Sequence, residues 1–336
     1  MRVSCRRIIT ALIACSDRAV KILPRNIQAA CNKGTRGTDG APGKNYWQNS
    51  ATYDLRLRFD PATRMVSGEE EIVYTNRSSD TLREILFKLY PNLYKKGSPR
   101  LVNIQPEDIG EGVRISQLLV DGALQKPADL LPQSTNWTVP IQPLAPQQTV
   151  RFGLRYSYTL SQNSHMRTGA VDSSAWFIAY FFPRIAVYDD LDGWNRHPYL
   201  GTQEFYNDFC DFQLAVTVPK DYVVWATGDL LDCAEVLAPG YCQRLAQAET
   251  SDGLDQMEYP MMVNDNPVED RTEAITLTDH EIFHTMFPFY VGTNETKYGW
   301  LGDDWATSGE WLISPMIDSN IVDDYGVVEW QAPHAL

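Results

Sequence analysis

The sequence predicts a multidomain α+β protein, in which a mostly antiparallel β domain over residues 45–230 precedes a helix-containing part over residues 231–336. Apolar and polar residues alternate along several stretches of the first part, and this two-residue period is typical of half-buried strands. Helical patterns occur later, weakly over Leu231 to Gln247 and more clearly between residues 276 and 311. Nine tryptophans and 17 tyrosines fit a strand-rich fold, because aromatic side chains favour strands.

The strands of the β domain are predicted one by one from this alternation. Turn-forming residues, such as Asp60-Pro61, end the stretches and favour short connections between neighbouring strands. Short connections join antiparallel strands. The alternating stretches are Tyr53 to Phe59, Ile72 to Tyr74, Ile85 to Leu89, Val150 to Tyr158 and Phe212 to Val218.

Two helices are predicted in the second part, from Thr276 to Met286 and from Tyr298 to Trp311. Thr278 or Asp279 can cap the first helix through a side-chain oxygen. Pro288 marks its end, because proline cannot donate the backbone hydrogen bond that a helix interior requires.

The N-terminus is predicted to be a signal peptide, covering residues 1–15, in which arginines precede a short apolar core. The core is too short to span a bilayer. Leu12-Ile13-Ala14-Cys15 resembles the lipobox of bacterial lipoprotein signals, which implies cleavage before Cys15, an acyl anchor on that cysteine and a cell-envelope location. An atypical secretory signal is the alternative. Residues 16–44 are predicted to be a flexible tether.

The charge balance of the chain bears on its partners. With 29 basic and 43 acidic residues, the formal net charge is −14. Nucleic acid is therefore not expected as a partner, since its phosphates attract basic surfaces.

The stretch His280-Glu281-Ile282-Phe283-His284 carries the main chemical signal. Residues four apart lie on one face of a helix, so both imidazoles can bind a single zinc ion. Glu281 stands beside them, where its carboxylate can move the proton of a zinc-activated water. This pattern is that of zinc metallopeptidases.

The stretches His280 to Tyr290 and Asn294 to Tyr298 resemble a bacterial branch of the membrane alanyl aminopeptidase family of zinc peptidases (gluzincins). Three stretches together resemble the family as a whole. They are Met257-Glu258-Tyr259-Pro260, the His280 to His284 motif and Trp300 to Ala306. The resemblance implies a β-saddle N-terminal domain followed by a thermolysin-like catalytic domain, here partial. It also implies hydrolysis of N-terminal residues from peptides that have a free N-terminus.

The resemblance assigns roles to individual residues around one zinc ion per chain. His280 and His284 match two zinc ligands, and Asp303, 19 positions after His284, matches the third. Glu281 matches the general base. Glu258 matches an acid that holds the substrate α-amine.

Glu310 matches an acid of the family that orients a ligating histidine. A solvated helix face is the alternative for this residue.

The chain departs from the family pattern around this site. Asp303 stands where the family has Glu, and Glu295 is a remote alternative ligand. The segment between Gly228 and Met257 is short compared with the family. No tyrosine after Asp303 has the separation expected of the family's oxyanion donor.

The predicted function is therefore that of a zinc-dependent aminopeptidase, with two alternatives. One is a catalytically impaired or inactive fragment that binds zinc and peptide, which the departures favour. The other is a β-sandwich adhesion or binding lipoprotein in which the histidine motif is incidental.

Overall fold

The computed structural model describes most of the chain from residue 23 to residue 321. The predicted signal peptide and lipobox lie outside the described residues, as does the stretch 230–256. The described ranges are 23–126, 132, 134–164, 166–229, 257–259, 262–264 and 268–321. The chain divides into two compact units: one combines the segment that ends at Trp47 with Asp189–Gly193, and the other holds Gln48–Tyr188 and the rest from Trp194.

The described elements are mostly strands. The helices are α1 (Arg25–Lys33), α2 (Arg271–Phe283) and α3 (Asp303–Ile317). The strands are β1 (Ser50–Asp60), β2 (Met65–Thr75), β3 (Leu82–Lys88), β4 (Arg114–Val120), β5 (Ala123–Leu124), β6 (Asn136–Leu144), β7 (Thr149–Thr159), β8 (Thr168–Ala170), β9 (Trp176–Ile178), β10 (Arg184–Ile185), β11 (Tyr188–Asp189), β12 (Gly193–Trp194), β13 (Cys210–Thr217), β14 (Met257–Tyr259) and β15 (Met262–Asn264). The structure is thus mixed and sheet-rich with few helices.

The largest sheet has six strands in the order β13-β1-β2-β7-β4-β5. Neighbouring strands pair antiparallel, except that β13 runs parallel to β1. The alternation predicted from the sequence holds along β1, where Tyr53, Leu55 and Leu57 are buried and the residues between them are not.

A second sheet, in the order β10-β3-β6, shares its hydrophobic core with the first. The rings of Phe87 in β3 and Phe152 in β7 meet edge to face, with centroids 5.3 Å apart. This contact joins the two sheets through aromatic packing.

Glu70 is the one charged residue among the described residues on the buried face of β2. Its side chain is 2% exposed, and neither carboxylate oxygen has a hydrogen-bond partner among the described residues. Burial raises the pKa of Glu70 well above its ordinary value, because the charged form is the one that loses hydration.

The unit that includes Asp189–Gly193 contains α1. This helix lies within residues 16–44, the segment predicted to be a flexible tether. Gly34 closes the helix in a left-handed conformation, with φ 73°, as is common at helix ends. Arg36 follows and makes a two-pronged ion pair with Asp190 at 2.8 and 2.9 Å.

The two helices of the second part differ in their bounds from the sequence prediction. Helix α2 begins five residues before Thr276, because Asp270 caps it by accepting a hydrogen bond from the backbone N–H of Glu273 at 2.9 Å. Neither Thr278 nor Asp279 is the cap. Helix α3 begins at Asp303, after a short 3-10 turn over Gly299–Leu301, and continues past Pro315. Within the described residues, no helix has the length and apolarity needed to cross a membrane.

Candidate metal centre

Two histidines meet at the end of α2. His280 lies in its last turn and His284 is the residue that ends it. Their Nε2 atoms are 3.3 Å apart. Bonds of about 2.0–2.1 Å from one tetrahedral zinc ion to two nitrogens place those nitrogens about 3.3 Å apart. The two imidazoles therefore fit a single zinc ion.

The orientation of His284 is set by the backbone that follows the helix. Its Nδ1–H donates to the carbonyl oxygen of Phe287 at 2.8 Å, which leaves the Nε2 lone pair directed towards His280. A hydrogen bond of this kind selects the tautomer that can bind a metal. The ring is 1% exposed, and burial lowers its pKa, so the neutral, ligating form is favoured.

Asp303 completes a group of candidate ligands with the two histidines. The ligand atoms of the three residues all lie within 4.8 Å of one another. The Oδ1 atom of Asp303 is 3.8 Å from Nε2 of His284, about half an ångström more than the tetrahedral spacing. Its side chain is 58% exposed, so Asp303 is the loosest member of the group.

Three contacts near the site join helix α2 to helix α3. The Nδ1 atom of His280 is 3.3 Å from a carboxylate oxygen of Glu310 in α3. Ser314 donates to Asp279 at 2.8 Å. Gly309 lies so close to the ring of Phe283 that an added Cβ would be 2.1 Å from it.

Glu281 and Glu258 are two buried carboxylates close to His284. Glu281 points inward from α2 and is 5% exposed, and Glu258 is also buried. Candidate ligand atoms of Glu258, Glu281 and His284 lie within 4.8 Å of one another. Glu258 comes from β14, which pairs antiparallel with β15, so that Glu258 stands opposite Val263.

Glu258 is surrounded by other carboxylates. Burial raises its pKa to about 8, with smaller contributions from the charges of Glu204 and Glu281. A cation placed among these groups would favour their charged forms. The surroundings of Glu258 are therefore suited to a cationic ligand.

Glu204 and Arg167 are neighbours of this site that the spacing of the sequence does not reveal. Arg167 donates from both terminal nitrogens to the carboxylate of Glu204, in a largely buried ion pair. The backbone of Arg167 has φ 59°, in the left-handed region that non-glycine residues rarely adopt. An arginine paired in this way fixes the carboxylate geometrically.

The structure thus brings together the six residues that the sequence singles out. His284 belongs to both candidate ligand groups, the one with Asp303 and the one with the buried carboxylates. Glu310 contacts His280 from α3. The individual roles of these residues stay predictions. Glu295, the remote alternative ligand, belongs to neither of the candidate ligand groups found among the described residues.

The solved structures to which this chain is similar include M1 zinc metallopeptidases. One is a mutant of the enzyme from Deinococcus radiodurans bound to a Tyr-Ser-Ala substrate, at 13% identity and a TM-score of 0.44, covering 85% of this chain and 76% of that chain. Another structure of the Deinococcus radiodurans M1 zinc metallopeptidase has 14% identity, a TM-score of 0.45 and coverages of 85% and 77%.

A two-domain M1 zinc metallopeptidase mutant bound to L-tryptophan has 13% identity, a TM-score of 0.41 and coverages of 86% and 78%. No protein-family model matches the chain, and no curated protein sequence matches it either.

Proposed function

We propose that this protein is a zinc-dependent aminopeptidase, which hydrolyses the N-terminal residue from peptides. One observation carries the proposal. The Nε2 atoms of His280 and His284 stand at the tetrahedral zinc spacing, and the carboxylates of Glu281 and Glu258 lie within 4.8 Å of a ring nitrogen of His284.

The donor set fits zinc by its chemistry as well as by its spacing. His280, His284 and Asp303 would hold the ion, as two neutral imidazoles and one carboxylate leave a coordination position open. When bound, zinc supplies Lewis acidity, which polarises a carbonyl group and lowers the pKa of water to about 7. Glu310 would keep His280 in its ligating orientation through the contact at Nδ1.

Glu281 is the residue placed to move a proton. It shares α2 with both histidines, and its carboxylate is enclosed rather than solvated. It would accept a proton from the attacking water and deliver it to the leaving amine. Because the carboxylate is fixed on a helix, no loop has to move to bring it to the reacting atoms.

Glu258 is the residue placed to select peptides with a free N-terminus. In an amino acid, the α-nitrogen and the carbonyl carbon are about 2.5 Å apart. A carboxylate that holds the α-ammonium must therefore lie close to the group that binds the scissile carbonyl. Glu258 meets this requirement, because its carboxylate and His284 belong to one group within 4.8 Å.

The proposal is tested by hydrolysis of alanyl-p-nitroanilide with the zinc-loaded protein. We expect turnover that a chelator abolishes and that Glu281→Gln reduces at least about 100-fold. N-acetylated substrate should not be cleaved, since it lacks the ammonium. Absence of turnover in a protein that contains zinc would contradict the proposal.

The alternative is a catalytically impaired protein that binds zinc and peptide. The distance from Asp303 to His284 and the exposure of Asp303 favour it, because a loose third ligand holds the ion less rigidly. Stoichiometric zinc without hydrolysis would establish this alternative. Purified protein that retains no zinc would instead support an incidental histidine motif.

A further inference from the structure

Three aromatic rings are stacked beside the candidate metal centre. Phe283 ends α2, Phe287 follows it along the chain, and Trp305 lies in the first turn of α3. The rings of Phe283 and Phe287 are inclined by 13°, with centroids 6.1 Å apart, and those of Phe287 and Trp305 by 16°, with centroids 5.4 Å apart. Both separations are in the range of attractive aromatic pairs. The middle ring, that of Phe287, therefore joins the end of α2 to the start of α3.

Phe287 also supplies the hydrogen-bond acceptor of His284. The Nδ1–H of His284 donates to the carbonyl oxygen of Phe287 at 2.8 Å. The backbone of Phe287 is extended, with φ −128° and ψ 111°, inside the otherwise helical stretch Thr285–Tyr290. Pro288 comes next, and proline disfavours helical backbone in the residue that precedes it. A carbonyl in a continuous α-helix points along the axis to a later N–H, so the extended backbone turns this one towards the imidazole.

The side chain of Phe287 ties this carbonyl to the rest of the site. Its ring lies between the rings of Phe283 and Trp305, which limit how the residue, and with it the carbonyl, can turn. Trp305 is two residues after Asp303, in the same turn of α3. The stack thus connects the orientation of His284 to the helix that carries the third candidate ligand.

Plain packing between the two helices is the simpler role for such a stack. Helices α2 and α3 already approach closely through Phe283 and Gly309, whereas Trp305 leaves 45% of its surface exposed. The ring of Trp305 instead covers the residue whose carbonyl holds His284. This placement favours a role in orienting the histidine.

We propose that Phe287 and Trp305 are positioning residues, which hold His284 in the tautomer and orientation that bind zinc. This inference rests on the zinc site of the proposed function, and it gives neither residue a contact with the substrate. A ring that is fixed before the ion arrives increases the fraction of molecules that can bind the ion. The apparent affinity rises in proportion to that fraction.

The first measurement is of the nitrogen-15 chemical shifts of the His284 ring in the whole, metal-free protein at pH 8, where its lowered pKa leaves the ring neutral. In the wild type, Nδ1 should have the shift of a protonated nitrogen and Nε2 that of an unprotonated one. Trp305→Leu should move both towards intermediate values, because the two tautomers exchange when the carbonyl is not held. Loss of packing that left the hydrogen bond intact would not change these shifts. Comparison with His284→Gln identifies the resonances.

The second measurement is of zinc affinity, by competition with a chromophoric chelator. We expect Trp305→Leu to weaken zinc binding about 3- to 10-fold, the range expected for the loss of one stacked pair. Trp305→Phe can still stack and should retain most of the affinity, whereas Phe287→Leu should act like Trp305→Leu. Trp225→Leu, at a similarly exposed tryptophan of the β domain, is the matched control and should bind zinc like the wild type.

Two results would overturn the inference. One is a set of wild-type His284 shifts in Trp305→Leu, and the other is equal weakening of zinc binding in Trp305→Leu and Trp305→Phe. Should Trp305→Leu fail to fold, Phe287→Leu and Trp305→Phe supply the same comparison.

The inference and the proposed function can fail separately. Altered His284 shifts and weaker zinc binding in the variants of a protein without hydrolysis would support the inference and reject the aminopeptidase activity. Hydrolysis by the wild type, with His284 shifts and zinc affinity unaffected by Trp305→Leu, would do the reverse.

Discussion

Asp303 is the residue on which the strength of the metal centre depends. The two histidines already have the spacing that zinc requires, whereas Oδ1 of Asp303 is 3.8 Å from His284. An aspartate is one methylene shorter than a glutamate, so α3 would have to move to bring it closer. The carboxylate is also exposed, which lets water compete for it.

Lengthening the third ligand should therefore tighten the site. We expect Asp303→Glu to bind zinc more tightly than wild type, and Asp303→Ala to bind it at least about 10-fold more weakly. Competition with a chromophoric chelator measures both affinities. Asp304→Ala is the control, since Asp304 points about 100° further round the helix. Unchanged affinity in Asp303→Ala would exclude Asp303 as a ligand.

Glu70 allows a separate prediction about stability. Its pKa is raised in the folded protein, so the folded state holds a proton that the unfolded state releases above pH about 4.3. Its contribution to stability is thus lost as the pH rises above that value. Glu70→Gln should raise the free energy of unfolding by about 1–3 kcal/mol at pH 8 and by much less at pH 4.

Urea unfolding at the two pH values measures this difference. Glu71→Gln is the matched control, because Glu71 is the next residue of β2 and faces solvent. An equal gain at both pH values, or none, would show that the raised pKa of Glu70 does not lower the stability of the folded protein at high pH.

At the level of elements, the packing of α2 against α3 decides whether the ligands meet. Gly309 lets the ring of Phe283 approach α3, because a Cβ there would lie 2.1 Å from the ring. We expect Gly309→Ala to destabilise the protein by about 1–3 kcal/mol and to weaken zinc binding. Gly299→Ala is the control, since no atom of the described residues lies within 4 Å of a Cβ there. Thermal unfolding and zinc titration of both variants measure the effect, and equal behaviour of the two would contradict it.

The strands and helices also show which parts of the fold the sequence predicts and which it does not. The alternating stretches predict β1, β2 and β7, because each strand carries its buried face in its own residues. The start of α2 is also readable, as Asp270 and Glu273 form a capping-box pattern, but the prediction placed it at Thr276. The last turns of α3 were missed, because Pro315 argues against a helix there.

The histidine pair and the surroundings of Glu258 also differ in how far the sequence predicts them. His280 and His284 are separated by one helical turn, so spacing alone predicts their meeting. Arg167 and Glu204 lie far from Glu258 along the chain, and only tertiary packing brings their charges near it. No local period could have grouped them.

Across the whole molecule, hydrophobic packing and the candidate metal centre are in different places. The main buried cluster consists of residues from Ala51 to Trp194. Among the residues that the structure describes, none of α2 or α3 belongs to this cluster, and these helices expose several large apolar side chains. Apolar burial stabilises the β sheets, whereas the two helices depend more on contacts around the site.

Zinc should therefore stabilise the molecule unevenly. A ligand at 100 times its dissociation constant stabilises the state that binds it by about 2.7 kcal/mol, and here that gain falls on α2 and α3. We expect a chelator to accelerate amide hydrogen exchange in these two helices, with little change in β1, β2 and β7, which serve as internal controls. His284→Ala should exchange rapidly in α2 with or without zinc, because the ion cannot join the helices through the missing imidazole. Equal acceleration in the helices and strands, or none in either, would show that the metal centre is not a separate source of stability.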